Sequence, residues 1–279
     1  MKRFKSFALD HPFLFGIVLL LVYAVIVTIT YPLHYLFPEN DAGQIYADST
    51  AKLITFLVFL LILWRFGWID LSGITRLGDA KIWPIVGIVL VYMVLAQLYA
   101  FTGDMSIHLS NTKLSAANLI LALATSLIEE TWVRGLVLIA MMLAWGSSRK
   151  GQLKAILFSS MIFGLVHLMN IMIRPVGVVL FQAIVVFLPG IFYAAIVLAS
   201  RSLWPAILIH WLGNAAVNIK LVGIENYQET LTMWILFAIA LIPILVYSAY
   251  LIRRLPQTDE IYAAATVTPH RVQKESVSF

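Results

Sequence analysis

Long apolar stretches alternate with short polar ones along the chain, at a spacing that suits a bilayer. A helix that crosses the hydrocarbon needs about 20 predominantly apolar residues, within a range of about 17–25. Eight stretches meet or approach this: residues 13–36, 51–67, 84–101, 115–145, 153–171, 176–199, 203–221 and 231–252. The second is short. The fourth is too long for one straight span, so it must tilt, kink or run past the bilayer, and Gly135 with the charged residues before it is the place for an irregularity. The pattern predicts an all-α polytopic membrane protein of about eight transmembrane helices. Residues 1–112 hold the N-terminal spans and a linker, 113–222 a core, 223–255 the last span, and 256–279 a polar, aperiodic tail expected to be disordered and cytoplasmic. Within the linker, residues 67–83 are partly amphipathic and read as lying along the interface, anchored by Trp68 and Trp83.

Composition supports the pattern. The 279-residue chain is 61% hydrophobic and 12% charged, against about 25% charged in soluble domains, and its mean hydropathy is +0.92. The basic start, Met1-Lys2-Arg3-Phe4-Lys5, resembles the opening of a signal peptide. The apolar run that follows is longer than the 7–15 residues of a signal h-region and lacks a small-x-small cleavage site, so it reads as a first span.

The loops sort by charge. With the N-terminus in the cytoplasm, twelve basic residues flank the inner ends of the spans (Lys2, Arg3, Lys5, Arg65, Arg76, Lys81, Arg149, Lys150, Lys154, Arg201, Arg253 and Arg254). Four (Lys52, Lys113, Arg174 and Lys220) flank the outer ends. By the positive-inside rule both termini are cytoplasmic, and the expected location is a prokaryotic plasma membrane. The net charge of +5 therefore reports topology rather than affinity for nucleic acid. With no cysteine, disulfides, thiolate chemistry and iron–sulfur clusters are excluded.

Against this background a few polar residues inside the apolar stretches stand out. The fourth stretch contains Ser126-Leu127-Ile128-Glu129-Glu130-Thr131-Trp132-Val133-Arg134. A charge at the centre of a bilayer helix costs about 2.5–3.5 kcal/mol on insertion scales, so adjacent carboxylates there need a reason. On a helix Glu130 and Arg134 are four residues apart and can pair, while Glu129 is turned about 100° away, toward the bundle interior. The fifth stretch contains Phe163-Gly164-Leu165-Val166-His167 and the seventh His210-Trp211-Leu212-Gly213-Asn214. His210 and Asn214 project from one face, which Asn218 continues. Taken singly, each has a structural explanation: an interhelical hydrogen bond for the histidines and Asn214, an ion pair for Glu130 and Arg134. Together, one carboxylate, two imidazoles and an amide on three inner helices are the parts of a hydrolytic centre. A glutamate can take a proton from water, an imidazole can share it, and an imidazole with an amide can stabilise an oxyanion.

The ordered set Glu129-Glu130-x-x-x-Arg134, Phe163-x-x-x-His167 and His210-x-x-x-Asn214, with the lead-in Ser202-Leu203-Trp204-Pro205, resembles the CAAX-protease and bacteriocin-processing (CPBP) family of intramembrane proteases, the Abi and CAAX prenyl endopeptidase-like proteins. The resemblance covers residues 115–220 and makes 113–222 a protease core with its active site inside the helical bundle. It implies that Glu129 is the general base for the attacking water and that His167 assists. It also implies that His210 and Asn214 form the oxyanion hole, that Glu130 and Arg134 support and orient, and that Phe163 packs. The family is often labelled metalloprotease. His-Glu-x-x-His is absent here, so no helix presents a ready zinc pair. Glu129, His167 and His210 can still converge on one divalent ion such as zinc, and the metal-free route is the preferred one.

The implied substrate is a peptide or membrane protein cleaved near the bilayer, a leader or small peptide in a prokaryote, from a chamber open to lipid or the cytoplasm; the oligomeric state is left open. Two other classes fit less well. One is a catalytically silent immunity or binding protein, against which the intact motifs argue. The other is a proton-coupled transporter, for which inverted repeats and paired broken helices are lacking. One geometric difficulty stands: His210 lies about seven residues into its stretch and His167 about fourteen, a depth difference of about 10 Å at 1.5 Å per residue.

Overall fold

The computed structural model describes residues 2–105, 111–172, 174–222 and 227–255, and among them every regular element is helical. The expected tail 256–279 lies outside the described residues.

Twelve α-helices follow one another: α1 (Lys2–Asp10), α2 (Pro12–Thr30), α3 (Asp41–Phe66), α4 (Ile69–Ser72), α5 (Trp83–Thr102), α6 (Thr112–Glu130), α7 (Ile139–Trp145), α8 (Arg149–Val166), α9 (Val176–Ser200), α10 (Trp204–Lys220), α11 (Leu231–Ala240) and α12 (Ile242–Arg254). Tight 3₁₀ turns extend α2 through Tyr31–Leu36 and α8 through His167–Met172, and a π-helical segment, Thr131–Leu138, joins α6 to α7. All eight apolar stretches are therefore helical. Among the described residues five helices are long and apolar enough to cross a membrane, and α11 with α12, bent by 43° at Leu241, makes a sixth if the pair is one span. The two stretches outside this set are 115–145 and 203–221. α10 has 17 residues, and the 115–145 stretch is divided by its π segment.

The start and stop signals are local. Asn40 caps α3 by accepting from the Gly43 N–H, and Gly67 ends it in the left-handed region at φ 69°. Ser148 caps α8 through the Gly151 N–H. α6 and its π extension form the central pillar, packed against α3, α8 and α10, while α9 lies against α8, α10 and α12. Ile128, Trp132, Arg134 and Leu136 have no exposed surface. π segments are rare and frequent at functional sites. Here the wide turn houses the Trp132 ring, which is stacked between Tyr23 and Phe59.

The residues 67–83 depart from the interfacial reading. Trp68 is 1% exposed and sits edge-on against Phe66, ring centres 4.9 Å apart, so it anchors the core rather than the interface. The loop after α4 folds onto the α9–α10 turn. Ser202 Oγ donates to the Arg76 carbonyl at 2.7 Å, Trp204 Nε1 to that of Ile74 at 3.0 Å, and Arg76 Nε to that of Arg201 at 2.9 Å. Gly73, at φ 69°, lies so close to the Arg201 carbonyl that a side chain there would collide with it.

These contacts define two ends of the bundle. At one end Lys5 Nζ donates to the Phe66 carbonyl at 2.6 Å, the 73–79 loop meets Arg201, and Arg149 donates to the Ile252 carbonyl at 2.7 Å. At the other end His34 meets Asp48 at 3.0 Å, Lys220 meets Asp104 at 2.6 Å, Tyr227 donates to the Phe101 carbonyl at 3.1 Å, and Arg174 pairs with Glu229 at 2.8 Å.

Candidate active site

The last turn of α6 presents its two carboxylates to different surroundings. Glu130 is fully buried, and its Oε1 accepts from Arg134 Nη1 at 3.1 Å and from His210 Nδ1 at 2.9 Å. Arg134 is also fully buried. Its Nη2 donates to the Gly190 carbonyl at 3.2 Å, and its guanidinium lies 4.3 Å above the Phe163 ring and 5.4 Å from that of Tyr193. Gly190 allows this approach: a Cβ there would stand 3.1 Å from the Ser160 Cβ and 3.3 Å from the Phe163 ring. A buried ion pair of this kind needs further hydrogen bonds to offset desolvation; His210 and Gly190 supply two, while Glu130 Oε2 and Arg134 Nε have no hydrogen-bond partner among the described residues.

Glu129 faces a cavity of about 430 Å³. Its Oε2 is buried, has no hydrogen-bond partner among the described residues, and stands 3.8 Å from His210 Nε2. Buried polar atoms are satisfied in most proteins, by water where not by protein. The Glu129 side chain as a whole is 13% exposed and lines the cavity, so its carboxylate is placed to hold a water or a substrate group.

The two imidazoles are held by different means. Carboxylates accept only, so the bond to Glu130 makes His210 Nδ1 the donor and turns Nε2 toward Glu129 and the cavity. The His210 ring is stacked on Tyr193, interplanar angle 14° and centres 5.4 Å apart. His167 starts the 3₁₀ turn that ends α8. There the backbone N–H of residue 167 bonds the carbonyls of Gly164 and Leu165, which leaves the Phe163 carbonyl without its helical donor. The His167 ring fills that vacancy: Nδ1 donates to the Phe163 oxygen at 2.9 Å. In a neutral ring Nε2 then carries the free lone pair.

The expected offset in depth between the histidines is bridged by Phe163. Its ring meets His167 edge-on at 5.2 Å and His210 edge-on at 5.9 Å. Phe163 thus does more than pack, since it also carries the Arg134 guanidinium. Asn214 lines the cavity one turn beyond His210, and Asn218 follows on the same face. Glu129, His167, His210 and Asn214 border one cavity, with Glu130 and Arg134 behind Glu129 and His210.

Three neighbours of the site were not singled out in the sequence. Tyr193 looked like one more aromatic of an apolar helix, and nothing in its spacing marks it. Gln97 in α5 and Gln182 in α9 also line the cavity, and an amide in an otherwise apolar stretch is a signal that could have found both.

Among the described residues no three His, Asp or Glu side chains are gathered so as to hold a metal ion. His210 Nδ1 is taken by Glu130 and His167 Nδ1 by a backbone carbonyl, so Nε2 is the ring atom that each histidine would offer to a metal ion, as metal-ligating histidines usually do.

Residues 111–216 match the family model described as Rce1-like, type II CAAX prenyl endopeptidase. The matched region contains Glu129, Glu130, Arg134, Phe163, His167, His210 and Asn214. The match covers less than half of the chain and is a likeness of that segment to the family. No curated protein and no solved structure matches the chain.

Proposed function

We propose that the protein is an intramembrane endopeptidase that hydrolyses a peptide bond in a membrane-proximal peptide or protein, with water activated by Glu129. The observation that carries this reading is the Glu129 carboxylate at the wall of the cavity it shares with His167, His210 and Asn214, a wall to which Glu130 does not contribute. A water held there gives a proton to Glu129 as it attacks the scissile carbonyl. His167 Nε2, a free acceptor in the neutral ring, holds the second water proton. The carbonyl oxygen becomes an oxyanion that Asn214 and His210 stabilise, and donors placed for developing charge are worth about 10²–10³ in rate.

Because Glu130 fixes Nδ1–H of His210, Nε2 donates to the oxyanion only when the ring is protonated. Glu130 and Arg134 position the histidine rather than react. The proton on Glu129 then passes to the leaving amine. The proposed route needs no metal ion, and in this reading all eight apolar stretches cross the bilayer.

The test is hydrolysis of a quenched-fluorescent peptide mixture by purified protein in detergent micelles. Glu129→Gln keeps shape and removes the base, so cleavage falls by about 10²–10⁴. Cleavage by Glu129→Gln at the wild-type rate overturns the reading.

A further inference from the structure

The cavity has a direction. Its lining comes from the halves of α3, α5 and α10 nearest one end of the bundle, from the middle of α9, from Leu121–Glu129 of α6, from α2, α8 and α11, and from the polypeptide around Met169–Arg174 and Glu229. It reaches the surface there: Met169 is 39% exposed and the Arg174 side chain 35%. That end is also the one tied by Arg174–Glu229, Lys220–Asp104 and Tyr227 to Phe101. No lining residue among those described comes from α1, α4, α7 or α12. In the opposite direction the fully buried Glu130, Arg134 and Trp132 close the space.

The closed end is the basic one. It gathers the start of the chain, Arg65, the Arg76–Lys81 loop, the Arg149–Lys154 stretch, Arg201 and the Arg253-Arg254 pair. Twelve basic residues flank the spans at that end and four at the open end, where Glu39, Asp41 and Asp48 also lie. Excess Lys and Arg in short loops marks the cytoplasmic side. The chamber was expected to open to lipid or the cytoplasm; charge and cavity together point the other way.

We propose that the cavity is loaded from the extracytoplasmic face, and that its substrates are peptide segments presented on that side after export or membrane insertion rather than cytosolic chain ends. The substrate class rests on the endopeptidase reading; the sidedness rests on the fold and the charge distribution alone. A segment entering past Met169 and Arg174 meets the amides of Asn170, Asn218 and Asn214 before it reaches Glu129, which gives an extended backbone polar partners as it leaves water.

The absence of cysteine makes the test clean. Thr125→Cys and Val217→Cys each place one thiol in the cavity wall, outside the residues given catalytic or positioning roles. Met172→Cys, at a position 90% exposed, marks the open end, and Arg254→Cys the basic end. Each variant is treated with a membrane-impermeant anionic methanethiosulfonate in sealed right-side-out and inside-out vesicles. Modification of Thr125→Cys and Val217→Cys is expected in right-side-out vesicles together with Met172→Cys. In inside-out vesicles it should be at least tenfold slower until detergent is added, with Arg254→Cys showing the reverse. Modification from the Arg254 side, or from neither side, overturns the proposal. Two cavity positions guard against one variant failing to fold.

In parallel, an impermeant quenched-fluorescent peptide mixture is offered to both vesicle types. Cleavage in right-side-out vesicles without detergent supports the substrate class. Cleavage confined to inside-out vesicles overturns the sidedness and leaves the endopeptidase reading standing. No cleavage even in detergent overturns the endopeptidase reading, while the labelling still decides the sidedness.

Discussion

Replacing Arg134 by methionine tests whether the buried network behind the cavity works as one unit. Methionine fills much of the same volume but removes the donors to Glu130 at 3.1 Å and to the Gly190 carbonyl at 3.2 Å, and the cation over Phe163. Glu130 is left as a carboxylate with no exposed surface and His210 as its sole hydrogen-bonded partner. Removing one member of a buried ion pair costs about 3–5 kcal/mol, because the other charge stays buried. At about 2–4 °C per kcal/mol for a chain of this size class, Tm in detergent micelles should fall by roughly 6–20 °C. Arg134→Lys keeps a charge but loses the planar fork that serves Glu130, Gly190 and Phe163 together, so it should fall in between. The deciding variant is the double one, Glu130→Gln with Arg134→Met. It removes both charges, and its loss should be smaller than the sum of the single losses by about 1–3 kcal/mol. Thermal unfolding followed by intrinsic fluorescence reads wild type, Arg134→Met, Arg134→Lys, Glu130→Gln and the double variant, since several tryptophans are in the core. A Tm for Arg134→Met within about 2 °C of wild type, or strict additivity in the double variant, would refute the claim that these side chains form one coupled buried network.

Further outcomes follow from the same geometry. Glu129→Gln should abolish peptidase activity yet leave Tm unchanged or higher, since an unpartnered buried carboxylate becomes a neutral amide; a large fall in Tm would mean that Glu129 is structural. Asn214→Ala should lower kcat by about 10²–10³ with little change in KM, as expected for a donor used mainly in the transition state; a change confined to KM would assign it to substrate binding. Gly73→Ala should lower Tm, because the added Cβ meets the Arg201 carbonyl and the glycine sits at φ 69°; an unchanged Tm would show that the 73–79 loop is not held by the α9–α10 turn. Burial raises the Glu229 carboxyl above its ordinary 4.5, while Arg174 and Trp234 pull it back. The folded state therefore keeps a proton that the unfolded state has lost, and stability falls as pH rises from 4.5 through the raised value. Glu229→Gln should flatten that part of the Tm–pH profile, and an identical slope in both proteins would assign the pH dependence elsewhere.

Much of the site was legible because hydrocarbon makes polar residues conspicuous. Glu129, Glu130, Arg134, His167, His210 and Asn214 stand out against apolar stretches, and a four-residue spacing is enough to pair Glu130 with Arg134 on a helix. Tyr193 was not legible, since its part depends on which face of α9 meets His210. The packing role given to Phe163 was too narrow for a similar reason: a ring that touches two imidazoles and a guanidinium does so through contacts between helices distant in sequence. Trp68 misled because aromatic belts and aromatic cores share one composition, and only the fold of α4 back onto the pillar separates them.

The sequence by itself determined the helices, since apolar length and capping residues such as Asn40, Ser148 and Gly67 act locally. It also determined which end of the bundle is basic, because charge alternates from loop to loop along the chain. Only the tertiary structure decided that Glu130, rather than Glu129, receives the His210 proton donor, that Phe163 bridges two histidines expected at different depths, and that the cavity opens away from the basic end. Those outcomes rest on the π segment after Glu130, the 3₁₀ turn at His167 and the close approach at Gly190. Each sets a distance between segments tens of residues apart, and the periodicity of a single helix carries no information about such distances.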